Sequence, residues 1–135
     1  MLREHEFVVV TTEVVSDDQP AIRKALLRLV GKASLVVTTG GTGIAARDVT
    51  PEATRAVCKR LLEGIAERMR FEGAKKTPFA ALSRGACGIR GKSLILNLPG
   101  SPNGAVESLG SVIQVLPHAL QLLAGNTEHK QATVR

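Results

Sequence analysis

A chain of 135 residues falls in the single-domain range and is long enough to bury a substantial core. Hydrophobic residues make up 44% of it but aromatic residues only 2%, so the core must consist mainly of aliphatic side chains, which favours a sheet covered by helices. Lys and Arg number 18 against 12 acidic residues, a net charge of +6 that favours an anionic partner, while the scarcity of aromatic residues argues against nucleic acid bound by base stacking.

The first part of the chain predicts two strands with a helix between them. EFVVVTT, residues 6–12, is rich in β-branched residues, and SLVVTT, residues 34–39, is an unbroken run typical of a buried strand. Asp17 or Asp18 can cap the intervening helix, which is expected to end at Gly31.

A helix and a loop are predicted next. Thr50 and Pro51 are expected to be the N-cap and first residue of a helix that reaches about Met69. Residues 71–76 are polar and predict a loop, and TPFAALSR, residues 77–84, starts a short helix with another Thr-Pro pair.

The last part predicts two short strands around Gly91-Lys92 and a long helix over residues 106–123 that is bent or interrupted at Pro117. Strands alternating with helices favour a three-layer α/β/α sandwich with a mostly parallel sheet. We expect one domain over residues 1–125 and a flexible tail over residues 126–135.

Two glycine-containing loops follow predicted strands, at the position where α/β sheets bind ligands. In the first, Gly40, Gly41, Thr42 and Gly43 would let a phosphate approach the backbone, and the second contains Pro99, Gly100 and Ser101. Neither loop is a Walker A or a GxGxxG motif. Each alone is a weak signal of a site, but two such loops on one small sheet predict a shared cleft.

Asp48 stands between the first loop and the following helix. It either stabilises the helix N-terminus or holds a divalent cation that neutralises a bound phosphate. Asp17 presents the same alternatives, with helix capping favoured. If the first two strands are neighbours, both carboxylates would face one cleft, which requires a metal ion or a cationic side chain between them.

The cysteines and the apolar runs favour a cytosolic protein. Cys58 and Cys87 lie in no metal-binding pattern and are expected to be buried apolar residues. No apolar run approaches the ~20 residues that cross a bilayer, so we expect a cytoplasmic protein without a membrane or nucleic-acid partner.

TTGGTGIAARDVTPEAT and LILNLPGSPNGAVESL together resemble the molybdenum cofactor biosynthesis family, specifically molybdopterin adenylyltransferases and the related gephyrin domain. The resemblance runs from about residue 6 to residue 125. It implies a homotrimeric enzyme that transfers AMP from Mg-ATP to the terminal phosphate of molybdopterin, releases pyrophosphate and passes its product to a molybdate-inserting enzyme.

The resemblance also implies roles for particular residues. Asp48 and Asp17 would be catalytic residues that bind Mg²⁺. The nucleotide and pterin-phosphate cleft would be lined by the two loops, namely Gly40, Gly41, Thr42, Gly43, Pro99, Gly100 and Ser101.

The chain departs from the family at its start, because the family's N-terminal strand and helix are missing before Met1. Either Met1 is internal to a longer gene product or the chain is a shortened relative whose activity is reduced or lost. The alternatives to an enzyme are a non-catalytic module that binds molybdopterin or a nucleotide and delivers or scaffolds, and a subunit that only assembles a trimer or partners a molybdate-inserting protein.

Overall fold

A computed structural model describes residues 1–5 and 7–125. Its strands are β1 Leu35–Thr39, β2 Arg60–Leu61, β3 Cys87–Arg90 and β4 Ser93–Leu98. Its helices are α1 Gln19–Val30, α2 Thr50–Val57, α3 Glu63–Ala74, α4 Pro102–Val112 and α5 Leu116–Leu123, with short 3-10 helices at Arg3–His5 and Pro78–Leu82.

The four strands form a mixed sheet in the order β1-β4-β3-β2. β1 runs parallel to β4, whereas the β4–β3 and β3–β2 pairs are antiparallel. The prediction of a mostly parallel sheet is therefore corrected to a mixed one. The cause lies in the predicted strand pair around Gly91-Lys92, because a two-residue turn joins only antiparallel neighbours.

The core lies on both faces of β4, all six residues of which are buried. Leu94, Leu96 and Leu98 pack on one side against residues of α4 and α5. Ile95 packs on the other side with residues of α1 and α2. Helices thus cover both faces, and the predicted α/β class is confirmed.

The predicted N-terminal strand is wrong within the described residues, because residues 7–15 have no regular structure. A strand requires backbone partners, and residues 8–15 form no backbone hydrogen bond with any described residue. The segment lines a groove together with β1 instead of pairing with it, and Val14 is fully exposed. β-branched composition alone predicted a strand that lacks a neighbour.

The predicted helix from Thr50 to about Met69 is also wrong, because the chain leaves the helix at Cys58. There the backbone becomes extended, and Lys59 N donates to Ile89 O at 2.8 Å, so the segment pairs with β3 before α3 begins. α3 then continues to Ala74, through most of the predicted loop. Thr50 is the first helical residue and forms no side-chain cap.

Other predictions agree with the structure. The Asp18 carboxylate caps α1 by accepting from Ala21 N at 3.0 Å, and the C-terminal helix is interrupted just before Pro117. Cys87 is buried as predicted, which raises the pKa of its thiol to about 12, but the prediction is wrong for Cys58, which is only half-buried. The predicted tail lies outside the described residues. None of the helices that the structure describes is long and apolar enough to span a membrane.

Candidate active site

One cavity of about 490 Å³ brings together both glycine loops and Asp48. It lies beyond the carboxyl ends of β1 and β4, where parallel strands direct their following loops to the same edge. Of the residues predicted to form the site, those lining this cavity are Gly40, Gly41, Thr42, Gly43, Asp48, Pro99, Gly100 and Ser101.

The two loops touch each other through their backbones. Gly40 N donates to Leu98 O at 2.9 Å, which continues the parallel pairing of β1 and β4 by one residue. A Cβ atom on Gly100 would lie 3.2 Å from the Cα atom of Gly40. Glycine at position 100 therefore permits a close approach that a side chain would hinder, and Gly40 has a φ of +91°, which favours glycine for a different reason.

The loops offer hydrogen-bond donors suited to an anion. The backbone amides of Gly41, Thr42 and Gly43 donate to no group among residues 1–5 and 7–125, and all three residues line the cavity. On the other wall, Ser101 caps α4 by accepting from Gly104 N at 3.1 Å, so the positive end of the helix dipole faces the same space. Such converging donors bind phosphate groups.

Asp48 is held in a tight turn at the edge of the cavity. Its Oδ2 accepts from Ala45 N at 3.0 Å, and its own amide donates to Ala45 O at 2.9 Å. A Cβ atom on Gly43 would lie 2.9 Å from that Oδ2, so glycine there makes room for the carboxylate. Asp48 does not cap α2, whose N-cap is Val49.

Asp48 can contribute to a magnesium site. Its Oδ1 has no hydrogen-bond partner in the described part of the chain. The described residues contain no group of three or more His, Cys, Asp or Glu suited to hold a metal. Mg²⁺ commonly binds one or two carboxylates together with substrate phosphates and water. A single carboxylate beside backbone amides that could bind a phosphate therefore fits this ion.

Asp17 is not brought to this cavity. It is exposed just before α1 and lines the separate groove between residues 7–15 and β1. The predicted convergence of Asp17 and Asp48 depended on pairing of the first two predicted strands, and the first does not form. Its predicted catalytic and metal-binding roles stay predictions.

Arg84 is a residue of the site's framework to which the sequence assigned no role. Its amide donates to Thr42 O at 2.8 Å, its Nε to Gly43 O at 2.8 Å, and its Nη2 to Asp48 O at 2.6 Å. Its Nη1 also forms an ion pair with Glu52 Oε2 at 2.5 Å. Arg84 thus binds the backbone of the Asp48 loop at several points.

The Arg84–Glu52 pair predicts a pH dependence of stability. The hydrogen bond from Arg84 lowers the pKa of the Glu52 carboxyl, so its stabilising effect is complete above the unfolded pKa of about 4.3 and is lost as the pH falls through the lower folded value. Because the pair is partly exposed, we expect Glu52→Gln to lower the free energy of unfolding by only about 0.5–1 kcal/mol at pH 7. Urea unfolding from pH 7 to pH 3 checks this, and a difference that persists undiminished at pH 3 contradicts it.

Asn97 lies behind the first loop and was also missed. Only 1% of the residue is exposed, and its Oδ1 accepts from Ala86 N at 3.1 Å. Its Nδ2 donates to the hydroxyl oxygens of Thr38 at 3.0 Å and Thr54 at 2.9 Å. This buried amide ties β4 to β1 and α2 at the base of the cavity.

α3 and the 3-10 helix Pro78–Leu82 form the remaining wall, which is more apolar. Met69, Phe79 and Leu82 line it, and Phe79 is 74% exposed. Lys76 forms an ion pair with Glu107 of α4, and both residues line the cavity. The cavity therefore joins a side with unpartnered backbone donors, within the described residues, to a more apolar side that has room for a flat ring.

Comparison with known proteins places these features in a family. Residues 1–118 match the family described as a probable molybdopterin binding domain. The molybdopterin adenylyltransferase of Helicobacter pylori is 47% identical over 116 residues, which cover 84% of this chain and 66% of the relative. That of Escherichia coli is 43% identical over 128 residues, with the same two coverages.

A solved structure shares the fold as well as the sequence. The molybdopterin biosynthesis enzyme MoaB of Thermus thermophilus superposes with a TM-score of 0.85 at 52% identity, covering 92% of this chain and 82% of that one. The chain spans 66% of the length of the two curated relatives named above.

Proposed function

The chain belongs to the family of probable molybdopterin binding domains of molybdenum cofactor biosynthesis, and from this membership we propose that it transfers the adenylyl group of ATP to the terminal phosphate of molybdopterin. The observation that carries the proposal is the shared cavity, where two glycine loops, the first with amides that donate to no described residue, meet the Asp48 carboxylate. The names of relatives at 43% and 47% identity support the choice of reaction.

The proposed reaction requires no covalent bond between the protein and either substrate. An oxygen of the molybdopterin phosphate bonds to the α-phosphorus of ATP, the bond from that phosphorus to the bridging oxygen breaks, and pyrophosphate leaves with the electron pair. The attacking oxygen is already anionic, so no general base is needed. Catalysis then consists of aligning two anions and stabilising charge at phosphorus.

The residues of the cavity suit these tasks. The amides of Gly41, Thr42 and Gly43 would bind phosphate oxygens, and the α4 N-terminus at Ser101 would stabilise negative charge on the opposite side. Asp48 would hold Mg²⁺ through its open Oδ1. The bound ion would supply charge neutralisation that lets the two phosphate groups approach.

The association state and location are part of the same proposal. We take the protein to be a cytoplasmic homotrimer that delivers its product to a molybdate-inserting enzyme, as the family resemblance implies. Large exposed apolar side chains outside the cavity, such as Phe71 and Val106, are surface that a subunit contact would cover.

A direct assay tests the reaction. Incubation of the purified protein with ATP, MgCl₂ and molybdopterin should yield adenylylated molybdopterin and pyrophosphate in equal amounts, measured by chromatography and a coupled pyrophosphate assay. An ATP analogue with a methylene bridge between the α and β phosphates should give neither product. Retained molybdopterin binding without pyrophosphate release rejects the enzyme and leaves the non-catalytic binding module.

A further inference from the structure

We propose that Arg84 is a positioning residue that fixes the loop carrying Asp48. By fixing this loop, Arg84 sets how the Asp48 carboxylate and the loop amides meet the substrate phosphates, and this second step rests on the proposed function. Arg84 is not among the described residues that line the cavity, so the structure assigns it no direct contact with a ligand there. Its effect on the site must pass through the residues that it holds.

The first argument is where Arg84 binds the loop. Its side chain donates to Gly43 O and to Asp48 O, which stand at the two ends of the exposed segment 44–47. With these two carbonyls held by one planar group, the segment between them has its ends fixed relative to each other. The position of the Asp48 carboxylate then depends only on the hydrogen bonds of the turn between Ala45 and Asp48.

The second argument is the chemistry of the guanidinium. It presents several N–H donors in a rigid fork, and Arg84 uses Nε and Nη2 for the two carbonyls while Nη1 faces Glu52. A lysine ammonium is a single point of charge on a flexible stem and cannot reproduce three separated contacts. The site therefore depends on arginine specifically.

The third argument is electrostatic. Glu52 compensates the charge of Arg84, and the Asp48 carboxylate also interacts favourably with it. The Thr42 carbonyl accepts from the Arg84 amide, so the Gly43 amide of the same peptide unit points away from Arg84, and it has no partner among the described residues. Arg84 thus holds the loop in an arrangement that presents donors to an anion.

Three variants separate this role from simple stability. Arg84→Met removes all side-chain contacts, Arg84→Lys keeps the charge but not the fork, and Glu52→Gln is the matched control that weakens the same ion pair while leaving both carbonyl bonds intact. Each variant is studied by steady-state kinetics with ATP and molybdopterin and by hydrogen exchange of the Ala45 and Asp48 amides, which are the amides of 42–48 that donate to a described residue.

We expect Arg84→Met to speed exchange of the Ala45 and Asp48 amides at least about tenfold and to lower kcat about 100-fold, with a smaller change in KM, because misplacement by about 1 Å costs that much. The exchange rate and kcat of Arg84→Lys should lie between those of the wild type and those of Arg84→Met. If Arg84→Met does not fold, Arg84→Lys takes its place in the test. Glu52→Gln should change kcat less than about threefold.

Two results would overturn the inference. One is unchanged exchange of the loop in a folded Arg84 variant, and the other is a loss of kcat in the Arg84 variants no larger than that in Glu52→Gln. A wild-type chain that binds molybdopterin but transfers no adenylyl group rejects the proposed function and with it the role in that reaction. The exchange measurement still decides whether Arg84 orders the loop.

Discussion

Asp48→Asn should lower kcat for adenylyl transfer by about 100- to 1000-fold while the protein remains folded. The amide oxygen of asparagine can still accept from Ala45 N, as Asp48 Oδ2 does at 3.0 Å, so the turn should survive. What is lost is the negative charge that would hold Mg²⁺ at the substrate phosphates. Steady-state kinetics over a range of MgCl₂ concentrations and a thermal unfolding curve measure both effects.

Asp18→Asn is the matched control. Asp18 likewise accepts one backbone amide at 3.0 Å, but it caps α1 away from the cavity, so activity should stay near that of the wild type. The activity of Asp17→Asn, measured in parallel, tests whether Asp17 is the second metal ligand that the sequence predicted. Unfolding of Asp48→Asn, or wild-type activity that is independent of Mg²⁺, would make Asp48 a structural residue.

Gly41→Ala should cost both stability and activity. Gly41 has a φ of +69°, which alanine adopts at a cost of about 1–2 kcal/mol. Its Cβ atom would also lie 2.2 Å from Oγ1 of the buried Thr50, so the loop or α2 must shift. We expect the free energy of unfolding to fall by about 2–4 kcal/mol and kcat/KM by about 100-fold.

Gly91→Ala is the control that isolates how much stability is lost through the backbone conformation alone. Gly91 has a similar φ of +59°, but apart from its chain neighbours no described residue has an atom within 4 Å of where its Cβ would be. It therefore carries the conformational cost without the collision and stands outside the cavity. Chemical denaturation of both variants compares them, and equal losses of stability would show that the contact with Thr50 is unimportant.

The parts of the fold that local sequence determines were predictable. The turn at Gly91 between two apolar runs indicated adjacent strands, and Asp18 followed by Pro20 indicated the start of α1. In contrast, no Gly or Pro marks the end of α2 at Cys58. That helix ends because Lys59 and Arg60 pair with a strand almost thirty positions later, and such long-range pairing leaves no local pattern.

The candidate site also has parts that local sequence predicts and parts that depend on long-range contacts. Glycine-rich loops after strands are local signals, so the walls containing Gly41 and Gly100 could be predicted, and the structure places both at one cavity. Arg84 could not be assigned, because its partners Gly43 and Asp48 lie 41 and 36 residues away. The position of Asp17 was misjudged for a related reason, since it depended on a strand whose neighbour the structure does not provide.

The contact between Gly40 and Gly100 restricts how this protein could be engineered. Because a Cβ atom on Gly100 would lie 3.2 Å from the Cα atom of Gly40, a substitution at Gly100 displaces the first loop, whereas Gly40 has a φ of +91° that favours glycine. Mutant libraries aimed at a new nucleotide should therefore keep both glycines and diversify the apolar wall around Phe79 and Leu82, where exposed side chains can change size without moving the backbone.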